Sequence, residues 1–298
     1  MPQSAIQPSI YRWMQNSSAA LLRNLPQSKR QALSNSQAPE LNFKNRLETR
    51  LAISSREIAL AQTLRYQVFF REMAAKGNAL AQITGRDRDR FDKICDHLLV
   101  FDRSKHKSEN VIATYRFLRQ EVAENHAGFY SASEFDFQPL LTRHSRLDFL
   151  ELGRSCVSPA YRDKRTIELL WQGVWSYIKQ HKVDVMIGCA SFQGTDPEQL
   201  ALPLSYLFHT ARAPLGWRVG AAKGRGSEMN QMAKADIDAR EALQALPPLI
   251  RAYIRLGAWV GDEAVVDHQF GTTDVFIIMP IANIKQRYVD YYDAKLAN

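Results

Sequence analysis

Phe149-Leu150-Glu151-Leu152-Gly153-Arg154-Ser155-Cys156-Val157, then Ser158-Pro159, then Arg162-Asp163-Lys164-Arg165-Thr166: this stretch decides the fold. Its first nine residues read as a strand, and the serine–proline pair ends it, because proline cannot donate to a ladder. Beyond the break the period becomes helical. Ile167, Leu170, Val174, Trp175 and Ile178 fall at i, i+3, i+7, i+8 and i+11, one apolar stripe. His181-Lys182 closes that helix with positive charge at its carbonyl end. Residues 183–188 read as the next strand.

Working outward, residues 48–53 read as a strand, and Ser55 begins a helix that carries Ile58, Leu60, Leu64 and Val68. Residues 97–101 and 111–117 are strand-like runs separated by a charged, turn-like segment, the pattern of a hairpin. Residues 258–260 and 274–279 supply two more strands. This order predicts a mixed α/β domain on one central sheet, spanning residues 46–298. Residues 1–45 are rich in Ser, Gln, Asn and Pro without a sustained apolar period, and read as a flexible tail. Within it, residues 10–23 mix basic and apolar side chains, a segment that packs on the domain or lies on a membrane.

The chain has 298 residues, 45% hydrophobic and 23% charged, which excludes wholesale disorder. No apolar run approaches the roughly 18 residues of a membrane-spanning helix, and the first residues lack the order of a secretory signal. Three widely spaced cysteines favour a reducing cytoplasm over a disulfide framework. A net charge of +8 points to an anionic partner. Nucleic acid is not expected, since no zinc-finger spacing, aromatic RNA-binding block or long basic run occurs. Metal is not expected either, because the histidines lack His-x-x-x-His spacing. No Gly-x-Ser-x-Gly elbow supports a serine nucleophile, and Gly224-x-Gly226 is too short for a phosphate fingerprint. Cys156 and Cys189 read as small core residues.

Three places can carry chemistry. Arg162, Lys164 and Arg165 sit at a helix N-terminus, where the dipole disfavours each cation by roughly 0.3–1 kcal/mol. An anion on the free N–H groups, including that of Thr166, offsets the cost; a solvated charge run is the alternative. Glu151 and Arg154 fall on opposite faces of a regular strand, and a bulge at Gly153 brings them to one side. There they form a proton acceptor with an orienting guanidinium, or simply a structural ion pair. Arg65, Phe69, Asp89, Asp92 and Arg116 form a looser front cluster; Asp89 and Asp92 share a face if their segment is a helical turn.

These strings, with residues 188–197, 246–253 and 257–262, resemble the bacterial L-ornithine Nα-acyltransferases of ornithine-lipid synthesis, over residues 47–284. The resemblance implies a GNAT-type N-acyltransferase fold, a mixed central sheet flanked by helices with a C-terminal elaboration. It implies transfer of a 3-hydroxyacyl group from acyl carrier protein to the α-amino group of L-ornithine, giving lyso-ornithine lipid. The donor's phosphopantetheine would then meet Arg162, Lys164, Arg165 and Thr166, although the family's glycine-rich turn is replaced here by those cations. No metal or redox cofactor is implied. The set Arg65, Phe69, Asp89, Asp92, Arg116, Glu151 and Arg154 is also similar to that of the acyl-homoserine-lactone synthases, whose tryptophan is replaced by Ala75. It implies catalysis by Glu151 and Arg154 and acceptor binding by the other five. Acyl carrier protein, L-ornithine and the anionic inner membrane surface are the implied partners. Acylation of another amine, such as glutamine, lysine or a lactone precursor, and a basic nucleic-acid-binding module are the alternatives.

Overall fold

The strand at Phe149–Val157 forms over the span expected, and the chain is built around it in a computed structural model that describes residues 46–73, 75 and 79–297. The expected tail and its basic–apolar segment lie outside the described residues. In chain order the front half comprises β1 (Leu47–Leu51), α1 (Ser55–Tyr66), α2 (Ala79–Thr84), β2 (Asp96–Asp102), β3 (Val111–Arg119) and α3 (Gln120–Glu124). The middle comprises β4 (Phe135–Asp136), α4 (Gln138–Arg143), β5 (Phe149–Val157), α5 (Lys164–His181), β6 (Val185–Gln193) and α6 (Ala201–Ala211). The last third holds β7 (Gly220–Ala221), β8 (Gly226–Glu228), α7 (Ala239–Ala245), α8 (Pro248–Leu256), β9 (Trp259–Asp267), β10 (Thr272–Pro280) and α9 (Gln286–Ala297).

Eight strands form one mixed sheet in the order β1-β2-β3-β5-β6-β10-β9-β8. The pairings are antiparallel except at the centre, where β5 runs parallel to β6 through the α5 crossover. That parallel pairing lasts only from Phe149↔Val185 to Glu151↔Ile187. Beyond it β5 stays on β3 and β6 stays on β10, so the two strands separate into a gap. Gly188 stands where they part. A Cβ there would lie 2.3 Å from the Leu152 carbonyl oxygen, and its φ of 154° is one that side chains rarely adopt.

Helix α5 begins on the Asp163 side chain, which accepts the Thr166 N–H, and ends on Lys182 in the left-handed region. Leu170, Trp171, Val174, Trp175 and Ile178 are buried against the sheet with Phe117, Leu150, Leu152, Met186, Ile277 and Met279. Ile167, expected in that stripe, is 41% exposed, because the first turn precedes the packed stretch. The opposite face buries Leu118, Phe149, Val185, Ile187, Phe276 and Ile278, with α1 packing along its β2–β3–β5 edge. Strands β6 and β9 outrun the expected ends at residues 188 and 260. Gly188 and the polar Gly261-Asp262-Glu263 interrupt the apolar pattern, but β10 pairs with both strands along its length and carries them past the interruptions. No described helix is long and apolar enough to cross a membrane.

Candidate active site

The site is set by one irregularity in β5. Between Thr114↔Cys156 and Arg116↔Gly153 the ladder loses register, so Arg154 and Ser155 together oppose Tyr115. The extra residue is Arg154, held at φ 51°. A bulge was expected at Gly153; it falls one residue later, on a residue for which a left-handed backbone is costly. Its effect is the one anticipated. Glu151 and Arg154 point to the same side of the sheet, the α1 side, together with Arg116 from β3.

They do not pair with each other. Glu151 is buried, and its two oxygens accept the backbone N–H groups of Tyr130 and Ser131, each at 2.7 Å. Burial pushes its carboxyl above the usual range, against the pull of those donors and of the Arg116 charge. The Arg154 guanidinium lies between the rings of Tyr130 and Phe270, at 4.7 and 4.6 Å from their centroids, and Nη1 donates to the Tyr130 hydroxyl at 3.2 Å. Phe270 in turn meets Phe69 edge-on at 5.9 Å, which brings Phe69 to the same cluster.

Arg65, Asp89, Asp92 and Arg116 converge as one network, with Asp87 as a further member. Asp89 caps the turn Arg90–Lys93 in a reciprocal capping box with Asp92, so the two share a face as their spacing predicted. Arg65 is fully buried; it donates to Asp87 Oδ2 at 2.8 Å and to Asp92 at 2.8 and 3.0 Å. Arg116 meets both oxygens of Asp89 at 2.7 Å and Asp92 Oδ1 at 3.3 Å. Asp92 also accepts from Gln62 and the Asp89 N–H. Burial opposes its ionisation, yet Arg65 and Arg116 hold its carboxyl below the usual range. Arg154 completes the group, 3.2 Å from Asp87 and 3.5 Å from Asp89.

The basic turn before α5 lies elsewhere, at the surface. Arg162 forms an ion pair with Glu72 and donates to the Val157 carbonyl oxygen, while Lys164 is 3.7 Å from Glu168 and largely exposed. Arg165 is exposed, and Thr166 is buried with no hydrogen-bond partner for Oγ1 among the described residues. The dipole cost of these cations is offset in part by Asp163, the helix cap. Near the parting of β5 and β6, a small cleft is lined by Leu152, Met186, Gly188, Tyr253, Ile277 and Met279, mostly apolar residues.

Sequence reasoning missed Tyr130, Ser131, Glu134, Phe270 and Asp274, and Cys189, expected as a small core residue, packs against the core with its sulfur among polar groups. Cys189 Sγ lies 3.2 Å from Ser131 Oγ and 3.4 Å from Glu134 Oε2, beside Asp274. One signal was legible: Asp274 leads directly into the apolar run of β10 and is buried there. The loop residues 130–134 carry no pattern that marks them.

Residues 64–172 match the family described as acetyltransferase (GNAT) domain. The chain is 52% identical to the L-ornithine N(alpha)-acyltransferase of Brucella abortus (strain 2308), over 84% of this chain and 89% of that protein. It is 53% identical to the protein of the same name from Rhizobium meliloti (strain 1021), over 83% and 84%. Among solved structures it is similar to FeeM, an N-acyl amino acid synthase from uncultured soil microbes. That similarity is 9% identity, with a TM-score of 0.42, over 80% of this chain and 92% of that one.

Proposed function

Because the chain belongs to the L-ornithine N(alpha)-acyltransferase family, we propose that this acyltransferase moves a 3-hydroxyacyl group from acyl carrier protein to the α-amino nitrogen of L-ornithine, forming lyso-ornithine lipid. One observation carries the reading: a buried carboxylate, Glu151, stands where β5 and β6 part, on the last register pair before the gap.

The acyl thioester lies in the gap, its chain against Leu152, Met186, Ile277 and Met279. The amino acid approaches from the α1 side. Glu151, pushed toward higher basicity by burial, takes a proton from the α-ammonium directly or through water. The freed amine attacks the thioester carbon. A backbone N–H from the Gly153–Ser155 bulge stabilises the oxyanion, and the intermediate collapses with loss of the pantetheine thiol. Arg154, partly exposed between Tyr130 and Phe270, is the guanidinium placed to receive the α-carboxylate. The network of Arg65, Asp89, Asp92 and Arg116 fixes the wall against which the acceptor packs, with Phe69 beside it.

Arg162, Lys164 and Arg165 meet the pantetheine phosphate and the acidic face of acyl carrier protein, whereas the Thr166 N–H, expected to be free for the anion, is given to Asp163. The positive net charge suits an anionic inner-membrane surface, which would receive the product from a cytoplasmic enzyme. The test uses purified chain, 3-hydroxyacyl carrier protein and L-ornithine. Thiol release together with Nα-acyl-ornithine identified by mass spectrometry is the expected result; its absence at saturating substrates overturns the reading.

A further inference from the structure

Beside the network of paired charges lies a group of acids that has no cation. Glu134, Cys189 and Asp274 bring one oxygen or sulfur each to within 4.8 Å of one another. Their backbones come from three places: the end of the turn Tyr130–Ser133, β6 and β10. Phe276 pairs with Cys189 and Asp274 with Ser191, so all four face the α1 side, next to Glu151. Glu134 is 4% exposed and Asp274 6%.

Among the described residues, neither carboxylate forms an ion pair. Glu134 has the Cys189 thiol as hydrogen-bond partner. Asp274 Oδ1 is buried and has no partner of good geometry, although the hydroxyls of Ser191 and Thr272 stand close enough to ease its ionisation. The charges facing the pair are Asp267, Arg225 and Arg154; Arg225 is bonded to the Ser133 carbonyl oxygen and Arg154 is held by Asp87 and Tyr130. Burying adjacent carboxylates without a cation is costly unless a proton stays. Burial, then Asp274 and Asp267, push Glu134 up to about 7; burial and Asp267, against the hydroxyls, push Asp274 up to about 6.

We propose that Glu134 and Asp274 bind the distal ammonium of the acceptor, so that this pair makes the enzyme choose ornithine over amino acids with uncharged side chains. The proposal rests on the reading of the chain as an ornithine acyltransferase and names the residues that read the side chain. An ammonium has three donors and one charge, and the cluster offers an orphaned carboxylate oxygen and a second carboxylate. Ser131 ties the two ends of the site together: its N–H donates to Glu151 and its hydroxyl oxygen lies 3.2 Å from the Cys189 sulfur, which touches Glu134. The α- and δ-nitrogens of ornithine are separated by five single bonds, an extended reach of about 6 Å, suited to neighbouring carboxylates. Asp89 and Asp92, to which the resemblance to the lactone synthases assigned acceptor binding, already spend their oxygens on Arg65, Arg116 and backbone donors.

The test compares ornithine with norvaline, the same chain lacking only the terminal nitrogen. With carrier-bound donor saturating, wild type should prefer ornithine, and Asp274→Asn should cut the ratio of kcat/KM values by about 100-fold. Glu134→Gln should cut it in the same direction, and carries the test if a melting curve shows that Asp274→Asn does not fold. Equal losses for both acceptors would overturn the proposal, as would an unchanged ratio. So would loss of wild-type activity on chelation with recovery on added zinc, which would make the cluster a metal site. A wild type that acylates another amine but not ornithine would instead sink the functional reading, before any variant is compared.

Discussion

Two charged regions lie side by side on the same sheet face and have opposite characters. Around Arg65, three arginines meet three aspartates, nearly every oxygen is engaged, and Asp92 is held ionised. Around Cys189, two carboxylates are buried without a countercharge and keep protons toward neutrality. A buried ion network that is complete holds backbone segments in place; one that lacks its cation leaves room for a ligand to supply it. Number of acidic residues does not distinguish these regions. Pairing does.

Glu151 stands between them, and altering it should have the largest effect. Glu151→Gln removes the proposed proton acceptor and turns an amide N–H₂ toward one of two backbone N–H groups. A fall in kcat of about 100- to 10,000-fold is expected, with the fold retained. Single-turnover rates and a melting curve check this; wild-type turnover would remove Glu151 from the mechanism.

Breaking the paired region should cost stability rather than selectivity. Arg65→Met leaves Asp87 and Asp92 buried with fewer cations and should destabilise the protein by about 3–5 kcal/mol. Denaturant unfolding measures that loss, and the ornithine-to-norvaline ratio should hold. A change in the ratio without a change in stability would erase the contrast between the regions.

The unpaired region should show itself in pH dependence. Glu134 and Asp274 titrate in the fold near 7 and 6, well above the roughly 4 of an unfolded carboxyl. Between those values the folded state binds more protons, so their contribution lowers stability as pH rises from about 4 to 7. Buried His97, pushed down to about 4, acts oppositely below its unfolded pKa of about 6.5. Asp92, with its lowered value, is already ionised in both states across most of this window. The difference between unfolding curves with and without ornithine isolates the acceptor's effect. Stabilisation by ornithine should grow from about pH 5 to 7.5. A constant increment would argue against neutralisation of this pair.

The smallest effect is expected at the surface turn. Changing Arg162, Lys164 and Arg165 to Glu should raise the KM for carrier-bound donor several-fold at low salt and leave the KM for ornithine nearly constant. Unchanged donor KM at low ionic strength would leave the turn as a solvated charge run held by Asp163 and Glu72.

Local pattern sufficed for much of this molecule. The nine residues Phe149–Val157, the change of period after Ser158-Pro159, and the strand-like runs of β2, β3 and β10 are properties of neighbouring residues, so the sequence alone determined the strand–helix–strand centre and the mixed sheet. The odd spacing of Glu151 and Arg154 likewise required a bulge if they were to share a face, and the spacing of Asp89 and Asp92 required a turn. What those side chains touch was another matter. Whether a carboxylate is paired depends on partners far away in sequence, such as Arg65 with Asp92 or Arg116 with Asp89, and their spacing does not encode occupancy. Glu134, Cys189 and Asp274 come from a loop and two strands 55 and more residues apart, joined only when β10 inserts beside β6. Desolvation and missing countercharge arise from that assembly. Only the tertiary structure could decide which acids stabilise the fold and which remain for a ligand.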